Sequence, residues 1–230
     1  MSFNECVDAL KGRLIVSCQA PANSPLHHPS VITAMAAAAV LQGAAGLRID
    51  SPAHIQAVRQ RVSAPIIGLW KQVIIGSEVY ITPQFHHAQA VAEAGADIIA
   101  IDATQRPRPG NECLSELIQR IHQELGKPVM ADVDSLATAR LAANAGADLL
   151  GTTLYGYTEA TREFAPPGLK LIAAMAAEFS IPCLCEGGIA SPIDALEAIR
   201  LGAFAVVVGT AITGIDALVR QYHEALANQT

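Results

Sequence analysis

Charge is scarce in this chain. Only 16% of its 230 residues are Asp, Glu, Lys or Arg, while 51% are hydrophobic. The balance is acidic, a net −6 at pH 7, which argues against nucleic acid as a partner. Long apolar runs are missing too. No stretch of about 18 apolar residues goes unbroken, so no membrane span is predicted. The start, MSFNECVDALKGR, carries Glu5 and Asp8 and does not have the pattern of a signal peptide. It reads as a short capping helix. Five cysteines make an odd count without metal-site spacing. Cys183 and Cys185 alternate along an apolar strand, which predicts packing residues in a reducing, cytoplasmic setting. Linkers and low-complexity tracts are absent, so residues 1–230 read as one domain.

What the chain does have is a repeat. An apolar helical stretch runs into Gly-Ala-x and then an apolar strand, four times: LQGAAGLRID (41–50), AEAGADIIAID (92–102), ANAGADLLGTT (143–153) and RLGAFAVVVGT (200–210). The glycines at 43, 95, 146 and 202 recur at intervals of 52, 51 and 56 residues. That interval is too long for one strand-helix unit and fits two. Strands of a second kind, mostly introduced by proline, lie between the copies: GRLIVSCQ (12–19), APIIGLWK (64–71), KPVMADVD (127–134) and IPCLCEGG (181–188). Interleaved, the two sets predict eight strands separated by helices, the pattern of a single (β/α)8 TIM barrel with a short N-terminal helix. Strands rich in Ile, Val and Leu suit a parallel sheet covered on both faces.

The pattern predicts strands near 14–18, 46–49, 66–69, 98–102, 129–132, 149–152, 183–186 and 205–208. Helices are predicted near 4–11, 30–42, 52–61, 84–94, 112–125, 135–145, 167–179, 192–201 and 214–227. Ser30, Ser51, Asp134 and Ser191 read as helix starts, with Pro52 and Pro192 in first turns that tolerate proline. Two long loops, 105–111 and 154–168, follow strand C-terminal ends, where a barrel enzyme keeps its site.

The residues at those ends are therefore informative. In order they are Gln19, Arg48, Lys71, Asp102, Asp132, Thr152 with Thr153, Glu186, and Gly209 with Thr210. Arg48, Lys71, Asp132 and Glu186 follow tightly on apolar runs and converge on one mouth, which marks a functional cluster. Glu186-Gly187-Gly188 and Val208-Gly209-Thr210 come after strands 7 and 8, where barrels commonly bind phosphate through backbone N–H groups. A lysine at position 71 can abstract a proton next to a carbonyl, form a Schiff base or bind an oxyanion. Trp70 should point to the opposite strand face, and Arg48 on the neighbouring strand is the expected aid to Lys71. The bland alternative pairs Lys71 with Glu186 or Asp132. His27-His28 and His86-His87 resemble metal-ligand pairs, but adjacent side chains point apart, so no metal site is expected.

Taken together, SCQA (17–20), GLRID (46–50), GLWK (68–71), DIIAIDAT (97–104), MADVDS (130–135), GTTLYGYT (151–158), EGG (186–188) and AVVVGTAIT (205–213) resemble the N-acylglucosamine-6-phosphate 2-epimerases over almost the whole chain. That family interconverts the 6-phosphates of N-acetylmannosamine and N-acetylglucosamine, as in sialic acid catabolism. The resemblance implies Lys71 as the acid/base that removes and returns the C2 proton of the open-chain sugar. It implies that Glu186 holds a hydroxyl or assists proton delivery, that Gln19 and Arg48 polarise the carbonyl end, and that Asp132 binds hydroxyls. Thr153, or Tyr155 and Tyr157, would contact the N-acetyl group. The backbone at Gly187, Gly188, Gly209 and Thr210 would take the phosphate. The implied partner is a phosphorylated N-acyl amino sugar, with no metal or organic cofactor, and the apolar terminal helices leave room for a homo-oligomer, a dimer. Many members carry arginine after Glu-Gly, where this chain has Gly188. Another phosphosugar isomerase, epimerase or lyase, or a non-catalytic phosphosugar-binding barrel, is the alternative. Ribulose-phosphate 3-epimerase-like barrels use strand-end histidines, which this chain lacks.

Overall fold

The four-fold Gly-Ala repeat has a single physical cause. Gly43, Gly95, Gly146 and Gly202 all adopt a left-handed φ between 95° and 104°, just past a helix end. Each glycine N–H bonds back to the carbonyl three residues earlier, at 3.0–3.1 Å. The following alanine N–H reaches five residues back: Ala44 to Ala39, Ala96 to Val91, Ala147 to Ala142 and Ala203 to Ala198, at 3.0–3.3 Å. This left-handed stop satisfies the last helix carbonyls and turns the chain into the next strand. The repeat is a set of identical helix-to-strand turns.

A computed structural model describes residues 3–227. Eight strands, β1 (Leu14–Cys18), β2 (Gly46–Asp50), β3 (Ile66–Leu69), β4 (Ile98–Asp102), β5 (Val129–Asp132), β6 (Leu149–Gly151), β7 (Cys183–Glu186) and β8 (Ala205–Val208), close into a parallel barrel in sequence order. β8 pairs with β1 through Ile15↔Val207. Helices α1 (Phe3–Asp8), α2 (Pro29–Leu41), α3 (Pro52–Arg59), α4 (Phe85–Glu93), α5 (Leu114–Arg120), α6 (Leu136–Asn144), α7 (Leu169–Glu178), α8 (Pro192–Arg200), α9 (Thr210–Thr213) and α10 (Ile215–Ala227) complete the fold. No helix among the described residues is long and apolar enough to cross a membrane.

Strand alternation splits the core into two layers. Ile15, Ile67, Leu69, Ala100, Met130 and Val207 fill the barrel interior. Val16, Leu47, Ile49, Ile101, Cys183 and Cys185 face outward beneath the helices. Burial pushes the Cys183 and Cys185 thiols up to about 12 and about 11. Cys6, Val7 and Leu10 join the inner layer, so α1 and the turn after it plug one end of the barrel.

Several boundaries differ from those read in the sequence. His28 caps α2 instead of Ser30, accepting from the Ser30 N–H with Pro29 in the first turn. Ser135 caps α6 instead of Asp134, in a reciprocal pair with Thr138, while Ser191 caps α8 with Asp194 as expected. Ser51 precedes α3 without a side-chain cap bond. The stretch near 112–125 is α5 continued by a wider turn over Ile121–Leu125. The short α9 was not foreseen, nor was a third long loop between β3 and α4. That loop doubles back: Lys71 bridges Ile81 antiparallel, the Gln72 N–H donates to the Tyr80 carbonyl at 2.9 Å, and the Asp102 N–H donates to the Ile81 carbonyl at 3.0 Å.

Candidate active site

Alternation also decides which polar side chains enter the barrel. Leu47 and Ile49 face the helices, so Arg48 between them points inward, and only 1% of it is exposed. The same rule brings Asp132 and Glu186 in from β5 and β7. Arg48 Nη2 donates to Asp132 Oδ2 at 2.6 Å and Nη1 to Oδ1 at 3.2 Å; Nη1 also lies 3.0 Å from Glu186 Oε2. A buried guanidinium thus faces two buried carboxylates. Gly151 leaves the space this needs, since a Cβ there would lie 3.3 Å from Asp132 Oδ1 and 3.1 Å from Thr153 Oγ1.

One cation cannot fully compensate two carboxylates out of water. Asp132 holds the two-pronged contact and Glu186 the single longer one, so Glu186 is the less compensated carboxylate. Burial, with the Asp132 charge adding to it, pushes the Glu186 carboxyl from 4.5 to about 7, against the opposing pull of Arg48, Thr153 and Lys71. Burial raises the Asp132 carboxyl as well. Burial works against the charge of Arg48, yet its two carboxylate partners raise its pKa on balance. Thr153 Oγ1 donates to Asp132 Oδ1 at 2.6 Å and stands 3.1 Å from Glu186 Oε2. A hydroxyl has one proton to give, so Thr153 serves the two carboxylates in turn, Asp132 at the shorter distance and Glu186 at the longer. Thr152 fixes the Glu186 backbone, donating to its carbonyl at 2.8 Å and accepting from its N–H at 3.0 Å.

Lys71 follows Leu69 by two residues and reaches the same mouth, exposed to solvent. Its Nζ donates to Gln19 Oε1 at 2.5 Å, and its backbone N–H to Asp50 Oδ1 at 2.9 Å. Gln19 Nε2 donates to Ser17 Oγ at 2.9 Å, which orients the amide oxygen toward the lysine. The alternative salt bridge of Lys71 with Glu186 or Asp132 is not formed, because Arg48 occupies both. For the same reason Arg48 is shut away from the mouth and is not the free cation expected beside Lys71. Trp70 points away, as expected, and meets His87 edge-on.

Beyond Glu186, Gly187 and Gly188 have φ of +96° and +71°, and Gly209 precedes α9, which starts at Thr210. Among the described residues, none of the N–H groups of Gly187, Gly188, Gly209 and Thr210 donates to a protein acceptor. These four donors are free to meet an anion. Gly188 lies under Pro166: an added Cβ would overlap the Pro166 ring and sit 2.8 Å from its carbonyl carbon. A side chain at 188 has no room in this packing.

The structure thus brings Gln19, Arg48, Lys71, Asp132, Thr153 and Glu186 together. It does not bring Tyr155 to them. That ring stacks on Phe164 (5.5 Å, 11° between planes), lies against Gly168 and packs on the outer core. Tyr157 is the loop tyrosine near the cluster, placed over Gly187 with its phenol raised by burial and by the Glu186 charge. Tyr80 is a second aromatic at the mouth, and the sequence reading passed over it. Its signal was the run VYIT (79–82) before Pro83, strand-like but lying between a strand and a helix already assigned. No group of three or more His, Cys, Asp or Glu is placed to hold a metal among the described residues.

Comparison with known proteins gives this geometry its family. A family model described as "Putative N-acetylmannosamine-6-phosphate epimerase" matches residues 32–228. A relative from Thermosynechococcus vestitus, named "Putative N-acetylmannosamine-6-phosphate 2-epimerase", is 62% identical over 221 residues, 96% of each chain. The solved N-acetylmannosamine-6-phosphate 2-epimerase from Clostridium perfringens superposes with a TM-score of 0.93 at 34% identity, covering 98% of both chains. A thiamine phosphate pyrophosphorylase from Pyrococcus furiosus, 19% identical with a TM-score of 0.60 over 90% of this chain and 89% of that one, shares the fold alone. With its barrel, its strand-end residues and these relatives in agreement, the chain belongs to the N-acetylmannosamine-6-phosphate 2-epimerase family.

Proposed function

We propose that the chain interconverts N-acetylmannosamine 6-phosphate and N-acetylglucosamine 6-phosphate. The observation that carries this reading is a lysine amine, held by Gln19, at the mouth of the barrel whose interior holds the Arg48–Asp132–Glu186 cluster, with the Glu186 carboxyl pushed up to about 7 by burial. In the open-chain sugar, C2 is bonded to an aldehyde carbon, so its proton is acidified. Lys71 removes that proton; the electron pair moves into C1–C2 and charge gathers on O1. Gln19, bonded to Lys71, sits where it orients the carbonyl end. Return of a proton to the opposite face of C2 gives the epimer. Glu186 holds a substrate hydroxyl or delivers a proton, and its pKa near 7 suits either exchange. Arg48 acts one step back, as a positioning residue for the two carboxylates. The free backbone donors after β7 and β8 take the phosphate.

The test is proton NMR of N-acetylmannosamine 6-phosphate with the protein in D2O and EDTA. Deuterium should enter C2 as N-acetylglucosamine 6-phosphate forms, and Lys71→Ala should abolish both while leaving the fold intact, since Nζ meets only Gln19. A bound ligand with neither exchange nor product in the wild-type protein leaves a non-catalytic phosphosugar-binding barrel, the second reading.

We also infer a homodimer. α10 has no buried residue, and Ile215, Val219, Tyr222 and Leu226 expose 52%, 62%, 72% and 67% of their surface along one face. Such a stripe needs a cover, and a second copy supplies an identical one.

A further inference from the structure

Phosphate at one side of the mouth and Lys71 at another fix how the sugar lies. The glycine donors follow β7 and β8, and in a closed eight-stranded barrel β3 and β4 stand opposite them. With the phosphate held there and C2 at Lys71, C3–C6 run back toward β7 and β8. The two remaining substituents of C2, the aldehyde carbon and the acylamino nitrogen, project toward β3 and β4. Gln19 lies on the β1 side of Lys71 and serves the carbonyl end. The acyl group is left with the wall made by the loop after β3.

That wall is Tyr80. Its segment is tied down on both sides: to Lys71 through the Lys71–Ile81 bridge and to β4 through the Asp102 N–H, while the Thr82 N–H donates to the Trp70 carbonyl at 2.9 Å. Val79, Ile81 and Thr82 are 0–1% exposed, so the segment is anchored by its own packing. The Tyr80 ring packs, half-buried, on the inner core of the barrel. Its hydroxyl has no protein partner among the described residues. The phenol lies within electrostatic reach of two ion pairs, Arg48–Asp132 and Arg106–Asp102, each 2.6 Å long. Burial raises it first, and the Asp132 and Asp102 charges add to this, so it is a hydrogen-bond donor throughout the neutral range. An apolar ring face with one free donor matches an N-acyl group, a small alkyl attached to an amide carbonyl.

Resting on the epimerase reading, we propose that Tyr80 is the residue that recognises the N-acyl group of the substrate, its ring bounding the acyl methyl and its hydroxyl donating to the acyl carbonyl. This replaces Tyr155, which the structure puts in packing.

The test compares N-acetyl-, N-propanoyl- and N-glycolyl-mannosamine 6-phosphate on wild type, Tyr80→Phe and Tyr80→Ala. Tyr80→Phe removes one hydrogen bond and should raise KM about three- to ten-fold, by more than kcat falls. Tyr80→Ala opens the wall and should raise the kcat/KM ratio of the propanoyl over the acetyl substrate about ten-fold. If Tyr80→Phe leaves KM unchanged or lowers kcat by as much as it raises KM, or if a folded Tyr80→Ala keeps the wild-type ratio among the three acyl groups, the assignment fails and Tyr80 is only structural. Tyr80→Phe keeps the ring and serves as the test should Tyr80→Ala fail to fold. A wild-type protein that exchanges no C2 proton overturns the epimerase reading itself, a result distinct from active variants with unchanged acyl preference.

Discussion

Replacing Glu186 with glutamine should stabilise the protein while impairing it, and the stabilisation should depend on pH. The amide mimics the protonated carboxyl at every pH and can still accept from Arg48 Nη1 through Oε1. In the wild type the carboxyl is displaced from 4.5 to about 7. The folded protein therefore holds a proton that the unfolded chain releases between those values. Where the folded state binds more protons, stability falls as pH rises. The penalty is absent below about pH 4.5, grows through the window and is complete above pH 7. At 1.36 kcal/mol per pH unit it reaches about 3 kcal/mol, and for a chain of this size that corresponds to roughly 6–12 °C in Tm. The side chain is 12% exposed, so solvent screening removes little of this. The assay is thermal or urea unfolding of wild type and Glu186→Gln at intervals from pH 4.5 to 8.5, plotted as a difference so that other titrations cancel. The variant should gain on the wild type as pH rises and level off near pH 8. A flat difference, or one that shrinks with pH, would refute the placement of the excess proton on Glu186. Turnover of the same variant settles the carboxyl's part in the chemistry. Loss of about 10²–10⁴ in kcat marks proton transfer, whereas a loss under about ten-fold, on the scale of one neutral hydrogen bond, leaves Glu186 as a holder of a hydroxyl.

Two further outcomes are expected. Gly188→Ala should destabilise by about 1–3 kcal/mol, because φ is +71° and the new Cβ overlaps Pro166; a Tm equal to wild type would show that the 154–168 loop yields freely there. Light scattering should give twice the 24.0 kDa of the chain, and Val219→Asp, placing a charge in the α10 stripe, should halve that mass; a wild-type monomer would refute the dimer.

Much of this was legible in the sequence because the barrel is built from local rules. The left-handed glycine after each helix is a property of a few consecutive residues, so the repeat could be counted without knowing the fold. Strand alternation made Arg48, Lys71, Asp132 and Glu186 readable as one cluster, since each stands two residues from an inward apolar side chain or between two outward ones. Partner choice within the cluster was not legible. Whether Arg48 helps Lys71 or binds the carboxylates depends on reach across the barrel, and residues 48 and 132 are brought together only by closure of the sheet. Loop residues failed for a related reason. Tyr155 and Tyr157 sit two apart in a segment without periodicity, where nothing in the sequence states which ring meets Phe164 and which covers Gly187. The VYIT run misled differently. Its pattern is that of a strand, but the eight barrel positions were already filled, so a real β-like segment was left unread.

The buried cluster also keeps an amine and a carboxyl apart at one mouth, which the proposed proton exchange needs. Lys71 and Glu186 would neutralise each other if they met as a simple salt bridge, and neither would then be available for proton exchange. Arg48 prevents this by drawing the carboxylates inward, 2.6 Å to Asp132 and 3.0 Å to Glu186, while Gln19 occupies the lysine at 2.5 Å with a neutral oxygen. Because two carboxylates share one guanidinium, burial pushes the second, Glu186, up to about 7. Separation of the lysine from the carboxyl thus comes from a third charge, the Arg48 guanidinium. Arg48→Met should therefore abolish the separation, by freeing Glu186 to pair with Lys71.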